Sequence, residues 1–391
     1  MGKGAAVVWD ESFLGYDLGG DHPLNPVRLD LTVRLATALG VLDGVDLIAP
    51  DPATDAEIER VHEPSYLNAV QAAPMAGWDV GHGLGTADNP VFARMHEASA
   101  LVVGGSLAAA RRLASGDADR AVNIAGGLHH AMRDHAAGFC VYNDCAVAIS
   151  WLLDNGFDRI AYLDTDVHHG DGVQDAFYDD PRVLTVSVHQ SPLSLWPGTG
   201  RAAELGGAGA EGTSVNLALP PGTGDQAWLR AFEATVPSLL RAFRPQLLVT
   251  QCGVDTHRED PLADLALTVD GHRAIYRRLR ELAEETANGR WLALGGGGYE
   301  LLRVVPRSWT HLLATVLDRD VDPNTPLPAD WMAHASTLAP NWPLPIAMTD
   351  GADTTFEPWG GQVDTPVDLA IRETRRALFP LHGLDPDDPR D

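Results

Sequence analysis

The stretch YLDTDVHHGDGVQDAF places Asp164, Asp166, His168, His169 and Asp171 within eight residues, directly behind the apolar run RIAYL. Asp164, Asp166 and His168 alternate where a buried strand should end, and alternation in extended chain puts side chains on one face. Two acidic oxygens and an imidazole converging on one point make half of a metal site. A solvated charge run explains the stretch poorly. Ionisable groups behind a buried strand cost several kcal/mol when desolvated without partners or a metal.

A third ligand must come from elsewhere in the chain. Asp255 lies in QCGVDTHREDPL, just beyond another apolar run, and Asp166, His168 and Asp255 form the expected ligand set, with one position left for water. Such a metal lowers the pKa of its water to roughly 7 and polarises a carbonyl beside it, which suits amide hydrolysis. The tandem His129 and His130 of GGLHHAM supply the proton transfers to water and to the departing amine. Asp164 and Asp171 are expected to orient those rings through their far nitrogens, Asp171 raising the basicity of His130. Tyr299 follows four glycines that let the backbone come close, and its hydroxyl is the expected oxyanion donor. Cys252 sits in an apolar run and reads as core. Cys140 has no assigned base and reads as no nucleophile.

The elements that must position these groups are legible as six apolar runs: 5–9, 120–127, 159–164, 182–189, 246–253 and 290–298. Each reads as a strand buried on both faces. Helical periodicity occupies 97–115, 142–156, 225–243 and 270–289, so strand and helix alternate and a parallel sheet covered on both sides follows. Every polar motif follows a strand, and open parallel sheets carry their sites at the carboxyl ends of the strands. The expected fold is therefore a single α/β domain with a central parallel sheet flanked by helices. Residues 1–317 form the catalytic domain. Residues 318–391 are a Pro-rich extension with one terminal helix near 366–379, wrapped on the same domain.

Composition narrows the function classes. The net charge of −26, from 28 basic and 54 acidic residues, argues against a nucleic-acid surface. Three cysteines in no metal or disulfide pattern, and an N-terminal stretch without an apolar signal region, fit the cytoplasm. No apolar run is long enough to span a membrane.

Taken together, GGDHPLNPVR, DNPVF, GGLHHAM, GFCVYND, LDTDVHHGDGVQDAF, PGTG, QCGVDTH and GGGGY resemble the zinc-dependent histone deacetylase superfamily, and within it the bacterial acetoin-utilization (AcuC-like) branch. The resemblance runs from about Trp9 to Trp309 and implies an arginase/deacetylase-like fold. It implies Asp166, His168 and Asp255 as zinc ligands; the two carboxylates among them also admit Fe(II) as the competing metal. His130 with Asp171 matches the general base and acid, His129 with Asp164 the electrostatic histidine, and Tyr299 the carbonyl-polarising tyrosine. Phe139 and Trp196 match the aromatic walls of an acyl-lysine tunnel that Gly138 also lines, and Trp196 is bulkier than the phenylalanine common in eukaryotic relatives. Asp88 matches a rim carboxylate that accepts substrate backbone N–H groups, and Arg28 the arginine of an internal acetate-release channel. Leu262 stands where polyamine-specific relatives carry an acidic gatekeeper. Asp164, Asp166, His168, Ser187 and Val188 match a structural potassium site. The implied activity is removal of acetyl groups from protein lysines, with a metabolic enzyme such as acetyl-CoA synthetase as partner. Small acetylated amines such as acetylpolyamines are the second substrate class. An arginase-like enzyme needs a second carboxylate and histidine set, and only one is complete. A non-catalytic binder is expected to lack His130 or Tyr299, and both are present.

Overall fold

The protein is described by a computed structural model covering residues 4–76, 81–340 and 342–391. Its centre is an eight-stranded sheet of β1 (Ala5–Val8), β2 (Leu47–Ile48), β3 (Arg120–Asn123), β4 (Ile160–Asp164), β5 (Val183–Gln190), β6 (Ser214–Leu219), β7 (Leu247–Gln251) and β8 (Trp291–Leu294). The order is β2-β1-β3-β8-β7-β4-β5-β6, and every neighbouring pair is parallel. β4, β5, β7 and β8 are buried along their whole length, which is why they read as unbroken apolar runs. The helix Met95–Ser115 packs with Asp144–Asp154. Val305–Val316 packs against both Val27–Ala38 and Val269–Thr286, a second group of helices beside the sheet.

Two corrections concern the elements. The sheet has two strands beyond the expected six: β2 is only two residues long, and β6 (SVNLAL) carries Ser214 and Asn216, which dilute its apolar signal. The expected helix at 225–243 is two helices, Asp225–Glu233 and Val236–Phe243, with Pro237 in the first turn of the second. Proline removes a helical N–H and is tolerated at a helix start but not in its middle.

Two helices beyond residue 317 pack on this scaffold. The helix Pro366–Leu378, opened by a reciprocal cap between Thr365 and Asp368, covers the β6 edge, where Thr374 Oγ1 donates to the Asn216 carbonyl at 2.8 Å. In the helix Ala329–Leu338, Trp331 Nε1 donates to the Leu31 carbonyl at 2.9 Å. Among the described residues no helix is long and apolar enough to cross a membrane.

Candidate active site

Parallel register brings the strand ends into one row: Ser187 pairs with Asp164, Asp164 with Gln251, Gln251 with Leu294, and Leu294 with Asn123. The loops leaving that row carry His129 and His130, Asp166 and His168, Trp196, Asp255 and Tyr299, so the five motif-bearing loops share one end of the sheet.

His168 Nδ1 lies 3.1 Å from Asp166 Oδ1 and 3.1 Å from Asp255 Oδ2, with the donor atoms of all three buried residues within 4.8 Å of one another. The outer oxygens are already held. Asp166 Oδ2 accepts from Gln251 Nε2 and from the Gly297 amide, both at 2.8 Å, and Asp255 Oδ1 accepts from the Val167 amide at 3.0 Å. Each carboxylate is thus aimed by its neighbours, leaving a convergent O, O, N set that fits a divalent cation with an open coordination position. Burial disfavours charge on His168, but the flanking carboxylates outweigh it and raise the ring to about 10. The glycine run makes the approach possible: a Cβ on Gly297 would lie 2.0 Å from Asp255 Oδ2.

The paired histidines each have a carboxylate on Nδ1, His129 with Asp164 Oδ2 and His130 with Asp171 Oδ1, both at 2.6 Å. This directs each Nε2 away from its carboxylate. Asp164 Oδ2 also accepts from the Tyr162 hydroxyl at 2.6 Å. Burial works against charge on His129, yet Asp164 and Asp166 raise it to about 9. For His130, burial first and the charge of His129 second hold the ring down to about 4, over the pull of Asp171. Asp171 pulls the basicity of His130 upward, as expected, but the net shift is downward. The neighbouring imidazolium, with ring centroids 4.0 Å apart, and the loss of water win.

Above these groups stand the aromatic rings. Trp196 packs edge-on to His130 at 4.6 Å between centroids and to His168 at 6.2 Å, and is 46% exposed, so it reaches from the buried floor to solvent. Across from it Phe139 packs edge-on to Tyr299 at 5.6 Å. Gly138 (φ 52°) separates wall from floor, and a Cβ there would meet His130 Cδ2 at 2.5 Å and Trp196 Cη2 at 2.7 Å. Phe139 itself adopts φ 69°, a conformation costing of order 1–3 kcal/mol for a non-glycine residue. Its carbonyl is tied to the buried Tyr16 hydroxyl at 2.8 Å, which also accepts the Val141 amide at 3.1 Å.

The remaining expected residues lie around this core. Arg28 is buried, stacks over Trp309 at 5.0 Å, and donates to the Gly296 and Gly298 carbonyls at 2.9 and 3.1 Å. Asp88 is exposed at the rim, its carbonyl bonded to His22 Nε2 at 3.2 Å, and the His22 ring packs against Phe139. Leu262 is half-buried, and its amide donates to Asp260 Oδ1 at 3.0 Å. Ser187 faces Asp164 across β4 and β5, with Val188 next along the strand. All three cysteines are buried and unpaired; burial pushes the Cys140 thiol up, and Sγ donates to Gly138 O at 3.2 Å.

Sequence reasoning missed Gln251, Tyr162, Tyr16 and Asp260. Gln251 had a signal, a lone amide closing a buried apolar run. Asp260 had none that local pattern supplies: Oδ2 accepts from the Tyr299 amide at 2.8 Å across 39 residues.

A parallel-sheet scaffold with a carboxylate and histidine centre, two carboxylate-backed imidazoles and a tyrosine beneath aromatic walls defines a hydrolase of the deacetylase class. The chain belongs to the histone deacetylase family: the histone deacetylase domain matches residues 22–316. It is 39% identical over 355 residues to the acetoin utilization protein AcuC of Bacillus subtilis (strain 168), spanning 90% of this chain and 91% of that one. It is 35% identical over 351 residues to AcuC of Staphylococcus xylosus, spanning 88% and 91%. Among solved structures it matches an HDAC homolog crystallised with SAHA, with a TM-score of 0.82, 30% identity, and coverage of 96% of this chain and 99% of that one.

Proposed function

We propose that the protein hydrolyses the side-chain amide of acetyl-lysine in proteins, releasing acetate, with Asp166, His168 and Asp255 holding a divalent ion. The observation that carries this reading is the convergence of those three donors within 4.8 Å beside His130. We assign zinc, with Fe(II) the competitor because two carboxylates make a harder site than a sulfur-rich one. Bound there, the ion supplies a water acidic enough to attack at neutral pH and a Lewis acid for the acyl oxygen.

The chain's own groups do the rest. His130, neutral above about 4, takes the proton of the attacking water through Nε2 and returns it to the lysine amine as the C–N bond breaks. His129, raised to about 9, keeps a positive charge beside the developing oxyanion. The Tyr299 hydroxyl donates to that oxyanion. Phe139 and Trp196 sheath the lysine methylenes while Gly138 leaves room between them. Asp88 accepts substrate backbone N–H groups, Leu262 leaves the rim without an acidic gatekeeper, and Arg28 serves acetate departure. A structural potassium ion at Asp164, Asp166, His168, Ser187 and Val188 would brace the β4 loop. The acetoin-utilization relatives support a cytoplasmic role in acetoin or acetate metabolism, with acetylated metabolic enzymes such as acetyl-CoA synthetase as partners.

The test is a panel of acetyl-lysine peptides and acetylpolyamines with purified, metal-assayed enzyme. Peptides are expected to give the higher kcat/KM; preference for acetylpolyamines would replace this substrate assignment with the small-amine one. Tyr299→Phe is expected to keep metal and KM but to lose about 10²–10³-fold in kcat, the usual worth of one oxyanion donor. A nearly fully active variant would show that the hydroxyl does not serve the oxyanion.

A further inference from the structure

The loop 254–260 carries Asp255 at one end and Asp260 at the other. On its inner side it is joined to the glycine loop, where the Val254 amide donates to the Gly297 carbonyl at 2.8 Å and the Tyr299 amide to Asp260 Oδ2 at 2.8 Å. On its outer side it meets a segment beyond residue 316, where the deacetylase-domain match ends.

Two anchors make that meeting. Asp350 Oδ2 accepts from His257 Nε2 at 2.8 Å and from the Val269 amide at 2.9 Å, while Oδ1 accepts from Arg307 Nη2 at 2.8 Å. His257 is fully buried, and its Nδ1 accepts the Glu259 amide at 3.1 Å, so each ring nitrogen has one assigned role. The second anchor is Arg303. It donates to both oxygens of Glu259 at 2.7 and 2.9 Å, and through Nη1 to the Pro343 carbonyl at 2.7 Å. The anchoring segment is itself tied down: Asp270 accepts from the Thr349 hydroxyl and from the Asp350 and Ala352 amides, at 2.6, 3.0 and 3.0 Å. A carboxylate buried in this way, bonded to both a histidine and an arginine, is a costly feature to keep without its partners.

We propose that Asp350 is a positioning residue for the active site, acting through His257 to fix the loop that carries Asp255 and Asp260, so that this C-terminal segment holds the metal-ligand loop and, through Asp260, the backbone of Tyr299. This deepens the deacetylase reading and rests on it for the catalytic consequence, though not for the mechanical one. Loss of the His257–Asp350 bond frees the loop at its midpoint, two residues from Asp255. Asparagine at 350 has one oxygen, which the charged Arg307 guanidinium claims, so its amide N–H₂ is left facing the His257 Nε2–H, and phenylalanine at 257 keeps ring volume while removing the donor.

The experiment compares amide hydrogen exchange, read by mass spectrometry on the full chain, in His257→Phe, Asp350→Asn, the double variant and His257→Gln. Exchange in 254–260 and 296–300 is expected to rise at least about tenfold in both single variants, with peptides from β4 and β7 unchanged. The double variant should be no worse than the worse single one, since both break the same bond. His257→Gln, which still donates a side-chain N–H, should restore most of the protection. On an acetyl-lysine peptide, kcat should fall about 10–100-fold, the range typical for groups that support metal ligands, while KM stays within about twofold. Unchanged exchange in those two segments, faster exchange across the whole sheet, additive double-variant effects, or no protection by glutamine would each overturn the proposal. If Asp350→Asn fails to fold, the His257 pair decides it. Absence of metal and of activity in the wild type would instead refute the deacetylase reading, and the exchange data would still decide this one.

Discussion

Asp255→Ala is expected to lose bound metal and turnover together, with kcat falling further than the about 10–100-fold that accompanies loss of a group supporting a ligand. Asp255 contributes one oxygen to the convergent set and uses the other to hold the Val167 amide, so the substitution removes a donor and loosens the neighbouring ligand loop at once. It also leaves His168, raised to about 10 between two carboxylates, with Asp166 alone. Gln251→Ala is the calibrating variant. It removes the amide that aims Asp166 Oδ2, together with that amide's bonds to the Gly253 N–H and the Gly127 carbonyl, but no convergent donor, and should reduce metal affinity within that about 10–100-fold range. Metal content by elemental analysis and kcat/KM on one peptide decide the matter. An Asp255→Ala protein that retains a full equivalent of metal would refute the ligand assignment.

How much of this was legible in the chain follows from the physics of each signal. Strands buried on both faces read as apolar runs, so the central strands were visible, as was the rule that a parallel sheet presents its loops at one end. The edges were not. β2 is too short to show a pattern, and β6 gains its cover from a helix about 150 residues further on, a tertiary fact with no local trace. The convergent triad and the paired histidines were legible because their chemistry is dense and local, each following a strand end. Gln251, Tyr16 and Asp260 act through single bonds made across the fold, and such residues announce themselves only when the partner is in place. The net downward shift of His130 was hidden for the same reason. Its charge state depends on a tilted ring with its centroid 4.0 Å away and on the exclusion of water, and neither is a property of the string HH.

That asymmetry between two adjacent histidines yields the most discriminating expectation. His129 is raised to about 9 by Asp164 and Asp166 against burial, and His130 is lowered to about 4 by burial and by His129. An imidazole that must accept a proton has to be neutral, and one that stabilises an oxyanion through its charge has to be protonated. Across neutral pH, His130 meets the first condition and His129 the second. A divalent cation nearby disfavours a proton on His130 further and offsets the pull of Asp166 on His129, leaving the Asp164 bond at 2.6 Å to favour the charged form of His129. His130→Ala is therefore expected to lose about 10²–10⁴-fold in kcat/KM, the range for a positioned acid or base, and to lose more than His129→Ala. Both variants should retain metal, because neither ring is among the three convergent donors. The pH profile separates the roles. In the wild type the base is fully available above its own range near 4, and His130→Ala should depend on solvent hydroxide, its residual rate climbing with pH. Greater damage in His129→Ala would exchange the two assignments, and loss of metal from either variant would make that imidazole a ligand and break the three-donor site.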